Sequence, residues 1–163
     1  MPGDLFSRAR DSVLHGGRVL DIGAGIRPQT LVRADKHVCV EPFRPYADWL
    51  RERGFAVIEK KASDALKPVR QAEHIVMLDV LEHMERDEGE LVLRLAKERA
   101  RKQIVVFTPL GFMGQEFDVW GMGGHEWQRH RSGWTPDDFP GWEHIVDENF
   151  HEGFGAFFAI WKA

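Results

Sequence analysis

The sequence predicts a doubly wound α/β domain built on a seven-strand sheet. Five short apolar segments alternate with amphipathic ones, which is typical of a parallel sheet covered by helices on both faces. Two further segments, 143–149 and 155–162, flank a glycine-containing turn and predict an antiparallel hairpin at the C-terminus. We therefore expect a mostly parallel sheet that binds its ligands at the carboxyl ends of the strands. The five parallel strands are predicted near residues 18–23, 37–41, 56–61, 74–78 and 103–107.

Helices are predicted between these strands from capping residues and apolar spacing. Residues 1–17 indicate a short N-terminal helix that ends at Gly16 and Gly17. Pro28 is suited to open a helix after the first strand, because its missing N–H costs nothing in the first turn. Thr135 has the pattern of an N-cap for one short helix after the fifth strand. The remaining helices are predicted at residues 45–53, 64–71 and 87–102.

Length and composition indicate one globular domain over residues 1–163. Hydrophobic residues make up 43% of the chain and charged residues 29%, which excludes disorder and a disulfide scaffold. The single Cys39 lies in an apolar strand pattern, so we expect a reduced, buried thiol.

Charge and hydropathy indicate the cellular location of the protein and the partners that it is not expected to bind. The net charge of -4 gives no positive field to gather nucleic acid, and the cations of residues 94–102 fit a solvated helix face. No segment approaches the roughly 18 consecutive apolar residues of a membrane helix, and the N-terminus lacks an apolar signal core. We expect a cytoplasmic protein that binds neither nucleic acid nor a membrane.

The turn after the first strand predicts a cationic ligand. The first strand ends in Asp-Ile-Gly-Ala-Gly at residues 21–25, where glycines let the backbone pass close to a ligand. The third glycine of the dinucleotide fingerprint would fall at Pro28, so a pyrophosphate cradle is incomplete. Asp21 would repel phosphates but would suit an ammonium or sulfonium group.

Acidic residues follow the next two strands. Glu41 ends the second strand, the position from which a carboxylate accepts hydrogen bonds from both ribose hydroxyls. Asp64, within Ser-Asp-Ala at residues 63–65, could accept from an exocyclic adenine amine, although such a residue is more often a helix N-cap.

These motifs, in this order, resemble those of class I S-adenosylmethionine-dependent methyltransferases. Residues 19–25, Glu41, residues 63–65 and residues 78–84 carry the similarity, which extends over residues 18–163. It is strongest to the small-molecule branch that includes ubiquinone-pathway enzymes. The resemblance implies a Rossmann-like fold and S-adenosylmethionine as the cofactor. It also implies cofactor contacts at Asp21, Gly23, Ala24, Gly25, Glu41, Pro42, Ser63, Asp64, Ala65, Asp79 and Leu81.

Two histidines are candidates for acid–base chemistry. His83 leaves the fourth strand at the carboxyl edge of the sheet, and an imidazole titrates near neutrality. His130 belongs to a Gln-x-His-x-Ser-x-Trp run that related methyltransferases carry on the substrate side. For His83, packing or capping at the start of a helix is an equally good interpretation.

Residues 110–133 form a Gly- and Trp-rich insertion between the fifth strand and the last helix. A structureless stretch of this length is usually functional, and the resemblance implies that it is a substrate-side lid. Trp127, Gln128 and Trp134 are candidate substrate contacts, while core packing is an equal alternative for the two tryptophans. Arg27, which stands where the family commonly has glycine, either contacts a carboxylate or points to solvent.

The sequence predicts no metal site. His125 and His130 are spaced too far apart to share one helical face, and no third ligand beyond Glu126 is evident.

The predicted function is S-adenosylmethionine-dependent methyl transfer to a small-molecule or saccharide-like acceptor. Two alternatives stay open: a catalytically inactive cofactor-binding partner subunit, and a nicotinamide-dependent oxidoreductase, which Asp21 and the missing third glycine disfavour. The chain is expected to bind a small-molecule substrate, and a homodimer or a protein partner is also possible.

Overall fold

A computed structural model describes residues 4–69 and 71–163, so residues 1–3 and residue 70, near the end of the predicted 64–71 helix, lie outside it. The described part contains helices α1 to α5 and strands β1 to β7. The helices are α1 (Leu5–Ser12), α2 (Arg44–Glu52), α3 (Ala62–Leu66), α4 (Arg86–Arg99) and α5 (His125–Gln128). The strands are β1 (Arg18–Ile22), β2 (Lys36–Val40), β3 (Ala56–Ile58), β4 (Ala72–Leu78), β5 (Ala100–Pro109), β6 (Glu143–His151) and β7 (Phe154–Lys162).

The seven strands form one sheet in the order β3-β2-β1-β4-β5-β7-β6. Strands β1 to β5 pair in parallel, and β7 runs antiparallel to both β5 and β6. The predicted fold class and the single antiparallel strand are therefore confirmed. Because β1, β2, β4 and β5 end at the same edge, the residues that follow them come together there.

Alternating side chains of the strands fill a core on each face of the sheet. On one face, Leu20 and Ile75 pack with residues of α3 and α4. On the other face, Val19 and Val76 pack with Leu5 of α1. This period-two alternation, with both faces covered, explains why the strands read as nearly continuous apolar runs.

The expected helix after β1 is wrong: residues 23–35 form turns and bends instead. The backbone N–H of Gln29 donates to Asp21 Oδ2 at 2.7 Å, and the Gln29 amide bonds both the N–H and the carbonyl of Val32. Side chains thus satisfy the backbone groups that a helix would have paired internally. Leu31 and Val32 are buried and cover the sheet in place of the missing helix.

The segment after β5 ends in a short capped turn. Residues 136–138 form one 3₁₀ turn, and the N–H of Thr135 donates to Asp138 Oδ2 at 2.8 Å. The predicted N-cap at Thr135 and the short helix that it starts are therefore confirmed, and this helix is a single 3₁₀ turn.

None of the helices in the described part of the chain is both long and apolar enough to cross a membrane.

The contact between Gly89 and Trp134 predicts the effect of one core substitution. A Cβ built on Gly89 in α4 would lie 2.5 Å from the Trp134 ring, which is only 1% exposed. Alanine favours a helix by about 1 kcal/mol over glycine, but overpacking a core costs about 1–3 kcal/mol. We expect Gly89→Ala to lower the free energy of unfolding by about 1 kcal/mol, measured by urea denaturation.

Gly114→Ala is the matched control, because a Cβ there meets nothing within 4 Å. Its unfolding free energy should stay within about 0.5 kcal/mol of the wild type. A Gly89→Ala protein more stable than the wild type would contradict the packing described for Trp134.

Candidate functional site

Two adjoining cavities open at the carboxyl edge of the sheet. The first cavity, of about 380 Å³, is bordered by residues that include Glu41, Lys61 and Trp127. The second cavity, of about 410 Å³, is bordered by residues that include Ala24, Arg27, Glu82, His130 and His151. The residues that border both cavities are Gly23, Asp79, His83 and Gln128.

The glycines after β1 form a tight turn between these cavities. Gly23 and Gly25 have φ angles of +65° and +57°, a region that side chains disfavour. A Cβ on Gly23 would lie 2.7 Å from a Val80 methyl carbon, and one on Gly25 would lie 2.6 Å from the Trp120 ring. Both positions therefore require glycine, and Trp120 packs directly over the turn.

Asp21, near the end of β1, holds the segment that follows this turn. Its side chain is buried, and Oδ2 accepts hydrogen bonds from the Gln29 N–H at 2.7 Å and from His37 Nε2 at 2.8 Å. Burial raises the pKa of Asp21, although these hydrogen bonds oppose the shift. Asp21 borders neither cavity, so a direct cofactor contact stays a prediction.

Glu41 follows β2 and reaches the first cavity with Pro42. Its carboxylate accepts hydrogen bonds from the N–H of Gly25 at 2.9 Å and from the N–H of Phe43 at 2.8 Å. Burial raises the pKa of Glu41 to about 7, against these hydrogen bonds. One carboxylate therefore holds the glycine turn and also forms part of the cavity wall.

The start of α3 differs from the expected adenine contact. Asp64 is exposed, and its carboxylate lies 3.6 Å from Lys67 Nζ. Ser63 is buried and donates to Glu88 Oε1 at 3.0 Å, and Ala65 is also buried. Residues 63–65 lie outside the cavity walls, and the first cavity is bordered instead by Lys61 and Ala62.

Two acidic residues follow β4 and lie close together; Glu82 is buried, whereas Asp79 is exposed. Asp79 has a φ angle of +56°, the only positive value for a non-glycine residue in the described chain. Glu82 is 2% exposed, and its Oε2 accepts from Thr108 Oγ1 at 3.1 Å. Burial together with the Asp79 carboxylate raises the pKa of Glu82 well above its usual range. Leu81 is fully buried and borders neither cavity.

The two candidate histidines meet beside these carboxyls. The rings of His83 and His130 lie edge to face with centroids 4.8 Å apart. His130 Nδ1 donates to the carbonyl of Met113, since a carbonyl can only accept. Burial, reinforced by His130, lowers the pKa of His83 to about 4. His83 is therefore a neutral imidazole at neutral pH, a weak base whose lone pair can bind a metal ion.

The predicted substrate-side residues separate into three environments. Trp127 and Gln128, in α5, border the first cavity, and Gln128 also borders the second. Trp134 is 1% exposed and packs in the core against Phe139, which favours the packing interpretation for this tryptophan. Arg27 is exposed at the edge of the second cavity.

Residues 110–133 are organised by a buried aspartate that the sequence analysis did not identify. The Asp118 carboxylate accepts hydrogen bonds from the backbone N–H of Trp120, Met122 and Gly124 at 2.7, 3.0 and 3.0 Å. These bonds fix the backbone that carries Trp120 over the glycine turn.

Other site residues were also missed. Thr108 could have been predicted from the topology, because β5 ends at the same edge of the sheet as β4. For Lys61, the only sequence signal is its position directly before α3. His151 reaches the second cavity from the β6–β7 hairpin, a long-range contact without a local sequence signal.

Comparisons with known proteins bear on the fold. The sequence matches no protein-family profile and shows no significant similarity to a curated protein. Among solved structures, a SAM-dependent methyltransferase from Archaeoglobus fulgidus is similar, with a TM-score of 0.65 at 15% identity over 97% of this chain and 92% of that one.

Two further structures are similar across most of the chain. One is the 1,6-didemethyltoxoflavin-N1-methyltransferase of Burkholderia thailandensis, with a TM-score of 0.64 at 13% identity over 99% of this chain and 79% of that one. The other is the N-methyltransferase NodS of Bradyrhizobium japonicum, with a TM-score of 0.64 at 14% identity over 96% and 83%. The structure thus has the fold of SAM-dependent class I methyltransferases.

The buried Glu41 predicts a pH dependence of stability. The unfolded chain loses the Glu41 proton near pH 4.5, whereas the folded protein keeps it up to about pH 7. Stability from this group is therefore complete below pH 4.5 and falls as the pH rises toward 7. We expect the difference in unfolding free energy between the wild type and Glu41→Gln to change by about 3 kcal/mol across this window.

Urea denaturation at several pH values between 4 and 8 measures this difference. Glu52→Gln is the control, since the Glu52 side chain is 75% exposed, and its difference from the wild type should not vary with pH. A difference for Glu41→Gln that is equally flat would show that Glu41 is not desolvated.

Proposed function

We propose that the protein is an S-adenosylmethionine-dependent methyltransferase that acts on a small-molecule acceptor. The observation that carries this proposal is Glu41, which borders the first cavity at the end of β2 while binding the N–H of Gly25. A carboxylate in this position suits a ribose diol, and a glycine turn beside it lets a ligand approach the backbone closely. The shared fold of the methyltransferases supports the same assignment.

The residues of the first cavity suit the nucleoside part of the cofactor. Glu41 would accept hydrogen bonds from the ribose hydroxyls, because each of its oxygens has a second lone pair beyond the backbone bond it already accepts. Trp127 and the aliphatic stem of Lys61 supply apolar surface for a purine, and Lys61 Nζ lies 5.9 Å from the Trp127 ring centroid. The cofactor, when bound, supplies an electrophilic methyl group on a sulfonium.

The second cavity suits the acceptor. It shares Gly23, Asp79 and His83 with the first cavity, so a ligand in each would meet at this partition. Alignment of two reactants in adjoining sites is worth about 7–11 kcal/mol of the barrier. His83 and His130 border this cavity and would contact an acceptor group there, and the volume of about 410 Å³ suits a small molecule.

Binding of S-adenosylhomocysteine tests the cofactor assignment. We expect one molecule to bind per chain in isothermal titration calorimetry. Glu41→Gln should weaken the affinity about 10- to 100-fold, because a hydrogen bond to a charged group contributes about 1.5–3 kcal/mol.

Asp64→Asn is the matched control, since the structure places Asp64 outside the cavity walls, and its affinity should stay within about twofold of the wild type. The absence of any heat with the wild type would exclude the proposal. Binding without methyl transfer to a broad set of acceptors would favour a non-catalytic cofactor-binding subunit instead.

A further inference from the structure

We propose that Glu82, His83 and His130 form a binding site for a divalent transition-metal ion on the wall of the second cavity. One ligand atom of each residue, a carboxylate oxygen or a ring nitrogen, lies within 4.8 Å of the other two. Glu82 and His83 come from the turn after β4, and His130 comes from the segment that follows α5. The chain folding, rather than a local motif, brings these three residues together.

The unpartnered oxygen of Glu82 points to a missing ligand. Glu82 Oε1 is buried and has no hydrogen-bond partner among the described residues, while Oε2 accepts from Thr108. Oε1 lies 3.9 Å from His83 Nε2, and the Glu82 side chain is 3% exposed. A buried carboxylate oxygen without a partner is costly, and a cation satisfies it without any rearrangement of the backbone.

The histidines are oriented as metal ligands usually are. A ligating histidine typically donates one ring N–H to a backbone carbonyl, which leaves the lone pair of the other nitrogen for the metal. His130 Nδ1 donates to the carbonyl of Met113, and His83 Nδ1 faces the carbonyl of Arg129 at 3.4 Å. In both rings Nε2 is thereby left with its lone pair.

Positive charge is also scarce around Asp79 and Glu82. Within residues 4–69 and 71–163, neither Asp79 nor Glu82 has a Lys or Arg nitrogen within 4.0 Å, although Arg27 lies at the edge of the same cavity. A divalent ion bound by Glu82 would compensate both carboxyls, because Asp79 lies next to Glu82.

The ligand set indicates the kind of ion. Two imidazoles and one carboxylate favour Zn²⁺, Mn²⁺ or Fe²⁺ over Mg²⁺ and Ca²⁺, which prefer oxygen. Three protein ligands leave an open position, as in catalytic rather than structural sites. Glu82, His83 and His130 all border the second cavity, so the open position faces the proposed acceptor site. On the basis of the proposed function, the ion would hold an oxygen atom of the acceptor.

A second group of potential ligands, Asp21, His37 and Cys39, serves as an internal comparison. There Asp21 Oδ2 already accepts hydrogen bonds from His37 Nε2 and from the Gln29 N–H. The atoms needed for a metal are thus occupied, and this group borders neither cavity.

Metal binding is tested on the whole chain after dialysis against a chelator. We expect Zn²⁺ to bind with one ion per chain in isothermal titration calorimetry. Loss of a supporting residue around a metal costs about 10- to 100-fold in affinity, so Glu82→Gln and His130→Gln should each weaken binding at least about 100-fold. His37→Gln is the matched control and should retain the wild-type affinity.

The absorption spectrum of bound Co²⁺ gives a second measurement that needs no variant. Nitrogen and oxygen ligands give ligand-field bands alone, whereas Cys39 as a ligand would add a thiolate charge-transfer band. Acetohydroxamate, a chelating oxygen ligand, should shift the Co²⁺ bands if the open position faces the cavity. A thiolate band, or equal Zn²⁺ affinity in the wild type and both cluster variants, would overturn the assignment, and an unshifted spectrum would overturn the open position.

S-adenosylhomocysteine affinity, measured on the same samples, separates this inference from the proposed function. Cofactor binding without any Zn²⁺ binding would overturn the metal site and leave the methyltransferase assignment standing. Zn²⁺ binding without cofactor binding would overturn the methyltransferase assignment and leave the metal site standing.

Discussion

Buried carboxylates at the ends of parallel strands hold the loops that form the site. Asp21 near the end of β1 accepts from the N–H of Gln29, and Glu41 after β2 accepts from the N–H of Gly25. Glu82 after β4 accepts from Thr108 at the end of β5. Each carboxylate thus ties its own strand end to a neighbouring segment, and the backbone at this edge is fixed before any ligand arrives. Such preorganisation is what a binding site needs.

Removing these carboxylates from water costs stability, and the same desolvation shifts their pKa values. Burial raises the pKa of Asp21, Glu41 and Glu82 alike, because water is excluded from these three carboxyl groups. For Asp21 and Glu41, two hydrogen bonds oppose the desolvation. Glu82 has one oxygen left without a partner, so the compensation is incomplete on the wall of the second cavity. Groups left unsatisfied in this way concentrate at functional sites.

The sequence predicts the strands and the edge at which they end more reliably than the side chains that line the site. Apolar periodicity locates all seven strands, and Glu41 is predicted at the cavity because its position follows directly from a strand end. The helix opened by Pro28 is wrong, because Gln29 pairs the backbone through its side chain, which periodicity does not detect. Whether Asp64 reaches the cavity depends on the residue at which α3 begins. Because α3 begins at Ala62, Lys61 rather than Asp64 borders the first cavity.

Residues 110–133 lie over the site and also hold the turn after β4 in position through hydrogen bonds. The N–H groups of Arg131 and Ser132 donate to the carbonyl of Glu82 at 2.6 and 3.2 Å. Ser132 Oγ donates to the carbonyl of Leu81 at 3.0 Å and accepts from Trp134 Nε1 at 2.9 Å. The buried Trp134 ring is therefore linked by two hydrogen bonds to the turn that carries Glu82. Because these bonds position the neighbouring His130 as well, core packing and site geometry at this edge cannot vary independently.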